Sequence, residues 1–180
     1  VSPKNRVLIT AGGAGIGQAM AEAFAAAGFA VWVTDISAQN LAALTGDWHK
    51  SQLNAADEAG VKALFEDIAA AWGGLDVLCA NAGIAGPTAL VEDVALEDWR
   101  NCVSINLEGA FLAAKYAAPM MKTAQAGAII VTSSTAGQYG YPNRAPYAAA
   151  KWAMVGLTKT LAIGAGALWY SCQCDLSRRG

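Results

Sequence analysis

The sequence predicts one α/β domain, a doubly wound parallel sheet in three layers with helices on both faces. Three observations predict it. Short apolar runs alternate with longer segments of helical composition along most of the chain. Loops carrying glycine, Asp, Asn or Ser follow several of those runs, where such a sheet gathers ligands. The chain has 180 residues, 55% of them hydrophobic, enough for one domain with a substantial core.

Composition excludes several functions. With 14% charged residues, a formal net charge of −2 and no Lys/Arg run, nucleic-acid binding has no electrostatic support. Cys79, Cys102, Cys172 and Cys174 are too few and too scattered for a disulfide framework, and His49 is the sole histidine, so no metal site is expected. The Ala-rich stretches are interrupted by Lys115, Lys122, Lys151 and Lys159, which argues against a membrane span. A strand already at 6–10 argues against a signal peptide. A reducing, cytoplasmic setting is the expectation.

In chain order, 6–10 is a short apolar strand, and a glycine-rich turn spans 11–17. An Ala-rich helix over 18–27 is closed by Gly28. A second strand over 29–34 ends at Asp35. Strand, glycine turn, helix, strand and acid form a dinucleotide-binding pattern: the glycines let backbone N–H groups approach a pyrophosphate at a helix N-terminus. Asp35 lies 18 residues after Gly17, where a carboxylate meets ribose hydroxyls. The G-x-G-x-x-G spacing is not met, because Gln18 takes the last glycine's place; an ordinary βα turn that packs tightly is the other reading. Asp35 would repel the extra phosphate of NADP, and Gly13, Ala14, Ile36 and Ser37 supply no cation to hold it, so NAD is favoured.

A helix over 38–44 and a weakly patterned strand over 48–53 come next. The helix over 57–72 places Val61, Leu64, Phe65, Ile68 and Trp72 on one core face, and Gly73-Gly74 stops it. A strand over 75–79 leads to Asn81-Ala82-Gly83, and Gly86-Pro87 marks a loop. A long helical region over 96–122 contains Asn106 and has a candidate break near Gly109. A strand over 128–133 leads to Ser134, and 147–163 is helical by composition. Pro146 suits that helix start, since proline lacks the N–H that a first turn leaves unpaired. Tyr147 and Lys151, four residues apart, share a helix face. A neighbouring ammonium favours a phenolate, which makes tyrosine a usable acid or base, with Ser134 as a hydrogen-bond donor. A surface helix with an incidental Tyr and Lys accounts for the same spacing.

Taken together, these motifs resemble the short-chain dehydrogenase/reductases, often called the classical type, over about residues 5–163, with their Rossmann-like fold. The family's T-G-x-x-x-G-x-G turn corresponds to Thr10, Ala11, Gly15 and Gly17, its acid to Asp35, and its N-A-G to Asn81-Ala82-Gly83. Its catalytic Asn, Ser, Tyr and Lys fall on Asn106, Ser134, Tyr147 and Lys151; spacing to the tyrosine selects Ser134 over Ser133. The resemblance implies hydride transfer between NAD and a secondary alcohol or ketone. Tyr147 would be the acid–base group, Ser134 would orient and polarise the substrate oxygen, and Lys151 would hold the nicotinamide ribose. Asn106 would fix a water in a relay with Lys151. Cofactor contacts are expected from Ala11, Gly13, Gly15, Ile16, Gly17, Asp35, Ile36, Asn54, Asn81, Ala82, Gly83, Tyr147 and Lys151. Two positions depart from the pattern. Ala11 replaces the first glycine, costing on the order of 1 kcal/mol if its φ is positive, unless Gly12 or Gly13 absorbs the turn. Asn54 stands for an aspartate at the adenine.

The resemblance ends at Ile163, so 1–163 reads as the NAD-binding domain and 164–180 as an aberrant tail. Read one base out, codons for that tail can yield E-L-G-P-F-G-I-H-V-N-A-I-F-P-G-A, which restores the family's sixth strand and its Pro-Gly. The adjacent Trp169 and Tyr170 codons force a glycine in that frame. One extra base just after the Ile163 codon is the expectation; an in-frame gene sequence with no extra base would exclude it. The tail leaves the last two strands and the substrate lid unaccounted for. It leaves the fifth strand's edge open, with 168–174 as a makeshift edge strand. Full-length members are usually homo-oligomers, and loss of their interface puts assembly in question here. Weak or absent turnover is expected, so the alternative is a non-catalytic NAD-binding remnant. A purely structural interaction module would leave Asp35, Asn106, Ser134, Tyr147 and Lys151 unexplained. Among substrates, 3-oxoacyl groups, sugars or polyols, and steroids stay open; the choice is expected to rest largely on the lid and on the loops at 85–93 and 138–145, whose residues name no substrate.

Overall fold

A computed structural model describes residues 5–164 and, as backbone, 171–175. Six strands form one parallel sheet: β1 (Arg6–Ile9), β2 (Ala30–Asp35), β3 (His49–Gln52), β4 (Val77–Ala80), β5 (Ala128–Thr132) and β6 (Ser171–Asp175). Their order is β3-β2-β1-β4-β5-β6. The chain thus winds outward from β1 to β3, returns to pair β4 with β1, and winds outward the other way. That reversal between β1 and β4 opens a crevice at the strands' carboxyl ends.

The central strands β1, β2, β4 and β5 read as largely apolar runs because of what covers them. Val7 and Ile9 of β1 enter one core with Val31 and Val33, while Leu8 enters the other with Leu78 and Ile129. Both faces are covered, so alternation has no solvent side to mark. The first face is closed by α1 (Gly15–Ala26) and α2 (Ala38–Ala43) through Ala21 and Leu41. The second is closed by α3 (Glu58–Trp72) and α5 (Gly109–Ala124), with Met154 of α6 (Ala145–Gly164). The five apolar residues assigned to the core face of α3 are all buried.

Differences from the sequence reading have local causes. Helix α1 begins at Gly15, three residues before the expected start, because Ala14 is the extended residue preceding it and the last glycines form its first turn. No break occurs near Gly109. Instead α4 (Leu96–Val103) runs into α5 through a wider π turn, Ser104–Glu108, that carries Asn106. The outer edge of β5 is paired by β6, in register from Ala128 with Ser171 to Thr132 with Asp175, within the expected edge strand and one residue past it. The remainder of the 164–180 assignment, beyond Gly164 and β6, lies outside the described residues.

Arg6 and Asp76 lock the sheet's start. Arg6 Nε and Nη2 donate to the two Asp76 carboxylate oxygens at 2.8 and 2.9 Å, and Nη1 donates to Trp72 O at 2.9 Å. One side chain therefore ties β1, the end of α3 and the entry to β4.

Candidate active site

A cavity of about 440 Å³ lies over the carboxyl ends of β1, β2, β4 and β5. Its lining begins at the turn after β1. Thr10 organises this turn: its Oγ1 accepts the N–H groups of Asn81 and Ala82 at 2.9 and 3.0 Å. Asn81 Nδ2 in turn donates to the carbonyl oxygens of Thr10 and Ala11 at 3.2 and 3.3 Å. The β1 and β4 loops are thus stitched into one floor. Ala11 itself has φ +51°, so neither Gly12 nor Gly13 absorbs the turn. Gly17 admits no side chain, because a Cβ there would lie 2.1 Å from Ala11 O.

Asp35 ends β2 and is buried, yet lines the cavity. Its carboxylate accepts the N–H of Gly13 at 3.0 Å and that of Ser37 at 2.9 Å. Gly13 therefore works behind the cavity wall, orienting the acid.

The π turn sets Asn106 on the far side, fully buried. Its Nδ2 donates to Ile84 O at 2.9 Å and Cys102 O at 2.8 Å, leaving Oδ1 buried with no protein partner. Gly83 closes against it: a Cβ there would lie 2.6 Å from Asn106 Oδ1 and 3.4 Å from Lys151 Nζ. Lys151 is only 4% exposed; its Nζ donates to Thr132 O at 2.9 Å and sits 5.5 Å from the Tyr147 ring centre. Ser133 donates from Oγ to Lys151 O at 3.0 Å, so it steadies α6 against β5. Ser134 Oγ accepts the Ala136 N–H at 3.2 Å and faces the cavity. Beneath them, burial pushes the Cys102 thiol up, opposed by the Asn106 N–H and the positive charges of Lys151 and Arg144. The thiol is inert there.

The structure thus brings Ala11, Gly15, Ile16, Gly17, Asp35, Asn81, Gly83, Asn106, Ser134, Tyr147 and Lys151 to one cavity. Gly13, Ile36, Asn54 and Ala82 stand outside its lining; Asn54 is exposed and its Oδ1 accepts the Ala56 N–H at 3.1 Å. Sequence reasoning passed over Ile84 and Thr132, which also line it, while Ala85, Tyr141 and Arg144 reach it from the 85–93 and 138–145 loops expected to govern substrate choice. Arg144 carried one available signal, its place three residues before Tyr147 at helical spacing.

These features fit a dinucleotide. The first turn of α1 bears no acid and no side-chain cap, and the Gly17 cradle leaves its backbone open to an anion. The family model described as short chain dehydrogenase matches residues 5–166. The chain belongs to the short-chain dehydrogenase family. Among family members, it is 35% identical over 163 residues to cyclohexanol dehydrogenase of Acinetobacter sp. (strain SE19), covering 87% of this chain and 65% of that protein. It is 38% identical over 162 residues to cis-4-hydroxycyclohexanecarboxylate dehydrogenase of Sinomonas cyclohexanicum, again covering 87% of this chain and 65% of that protein. The solved structure of an NAD+-bound xylitol dehydrogenase superposes with a TM-score of 0.91 at 28% identity, covering 94% of this chain and 68% of that one. The chain spans just under two thirds of the length of the two relatives. Among the described residues, no helix is long and apolar enough to cross a membrane.

Proposed function

We propose that this chain binds NAD and transfers a hydride between it and a secondary alcohol or ketone, with Tyr147 as the acid–base group. The observation that carries the reading is the convergence of Tyr147, Ser134, Lys151 and Asn106 with Asp35 and the glycine turn on one cavity. Bound there, the nicotinamide supplies the hydride acceptor or donor. Tyr147 moves the hydroxyl proton of the substrate. Ser134, whose Oγ already accepts one N–H, orients the substrate oxygen with its own O–H. Lys151 holds the cofactor ribose and a positive charge beside the tyrosine ring. Asn106 Oδ1, buried without a protein partner, is an acceptor suited to a bridging water beside Lys151.

Asp35 supports NAD over NADP. Its carboxylate is held in place by two backbone N–H groups, and the cavity's two cations, Arg144 and Lys151, both lie on the β5 side. A 2′-phosphate would meet negative charge with no counter-ion. NADH is expected to bind about 10- to 100-fold tighter than NADPH, and Asp35→Ser is expected to narrow that gap in fluorescence titrations. An unchanged preference would contradict the assignment.

The relatives' names make ring alcohols the first substrates to assay. NADH formation from cyclohexanol, measured with protein in excess because turnover is expected to be slow, tests the chemistry. Tyr147→Phe is expected to lower the rate by about 100-fold or more while weakening NADH binding far less. A variant as fast as the parent would refute the role of the tyrosine. NADH binding without any Tyr147-dependent rate would mark a non-catalytic remnant.

A further inference from the structure

One cation of the cavity has no duty in hydride transfer. Arg144 immediately precedes α6 and lies one helical turn before Tyr147. Its main chain is fixed: its carbonyl oxygen accepts the Ala148 N–H at 2.9 Å, and its own N–H donates to Tyr141 O at 3.3 Å. The guanidinium is anchored through one nitrogen. Nη1 donates to Ala85 O at 2.8 Å and to Gly86 O at 3.4 Å, on the loop after β4. Among the described residues it has no carboxylate partner and no other side-chain hydrogen bond. Nε and Nη2 are therefore left to a ligand, and a guanidinium presents paired N–H groups that match a carboxylate's two oxygens. The first turn of α6 contains no acid, so the helix end adds to the positive field.

Position decides which ligand this is. Asp35 ends β2 and Arg144 follows β5, with β1 and β4 between them. At strand spacing that separation is about 14 Å. The acid therefore marks one end of the cavity, and Arg144 stands at the other, beside Tyr147.

We infer that Arg144 is the specificity-determining residue of this site and receives a carboxylate carried by the substrate, so that the preferred substrates are hydroxy acids and oxo acids. This rests on the hydride-transfer reading above. Its anchoring by Ala85 O keeps the fork's position fixed, which lowers the entropy lost on binding.

The test compares two alcohols that differ by one carboxylate, 4-hydroxycyclohexanecarboxylate and cyclohexanol, with the 180-residue chain and NAD. The wild type is expected to favour the carboxylate in kcat/KM. Arg144→Gln should lower the ratio of the two kcat/KM values by about 10- to 100-fold. Arg144→Lys, which keeps the charge and the aliphatic stem, should lower it less. A ratio that neither variant moves would assign Arg144 to loop anchoring alone and overturn the inference. In parallel, cyclohexanecarboxylate, which cannot react, is titrated calorimetrically into each protein with NADH bound. Heat of binding that weakens by the same factor in Arg144→Gln supports the inference, and no binding to the wild type overturns it. Should neither alcohol turn over, the hydride-transfer reading fails, and the titration still decides the carboxylate site.

Discussion

Ala11 carries the clearest residue-scale tension. Its φ of +51° is a left-handed conformation, which costs an L-residue about 1–2 kcal/mol. Glycine would remove that cost but lose about 0.5–1 kcal/mol through a freer unfolded chain. The difference favours glycine. Ala11→Gly is expected to stabilise the protein by about 0.5–1 kcal/mol, read as a higher urea midpoint at unchanged slope. No gain would mean that the turn relaxes around the methyl group. Next to it, the Gly17 Cβ position is occupied by Ala11 O, so the two residues define how closely a ligand approaches the backbone. The sequence pointed to Ala11 as a departure; its φ had to be seen.

Elements are held to one another mainly by buried apolar faces, with a few polar clamps. The Arg6–Asp76 clamp has a definite pH signature. The Arg6 guanidinium hydrogen bond, against the pull of burial, holds the Asp76 carboxyl below its ordinary value of 3.8. The unfolded chain therefore takes up that proton at a higher pH than the folded chain. The stabilisation is full above about pH 4 and is lost as pH falls through the lower folded value. Asp76 is about a third exposed, so screening limits the contribution. Asp76→Asn is expected to cost about 1 kcal/mol at pH 7, with the gap from wild type closing as urea unfolding is repeated at increasingly acid pH. A gap independent of pH would remove the ion pair as its cause. Helix boundaries show the same local logic: α3 stops where Gly73 adopts φ +71°, as its glycines foretold. The π turn at Asn106 did not announce itself, because its residues Ser104, Ile105, Asn106, Leu107 and Glu108 are ordinary in a helix.

At the scale of the molecule, sheet order decides what meets what. Strand β3 is an exposed edge, blunted by Lys50, whose ammonium donates to Leu44 O at 2.7 Å. At the other edge, β6 occupies the hydrogen-bonding side of β5. A chain ended at Gly164 would present β5 as a bare parallel edge. Such a variant is expected to self-associate at concentrations where the 180-residue chain does not, read by light scattering. Equal scattering would show that β6 contributes no protection.

Much of this protein was written in local spacing. The βαβ order, the glycine turn, Asp35 at a strand end, and Tyr147 four residues before Lys151 all follow from periodicity within single elements, which a sequence displays directly. Only the tertiary structure decided that Asn81 would pin a turn 70 residues away, that Asp35 would be held by Gly13, and that Asn106 Oδ1 would lie buried beside Gly83 and Lys151. It also decided that Arg144 would line the cavity anchored to Ala85, 59 residues earlier. Those contacts join segments far apart in the chain. The Asn81 contact depends on the return from β3 to β4 beside β1, and the others on which strand lies beside which, an order no local pattern encodes.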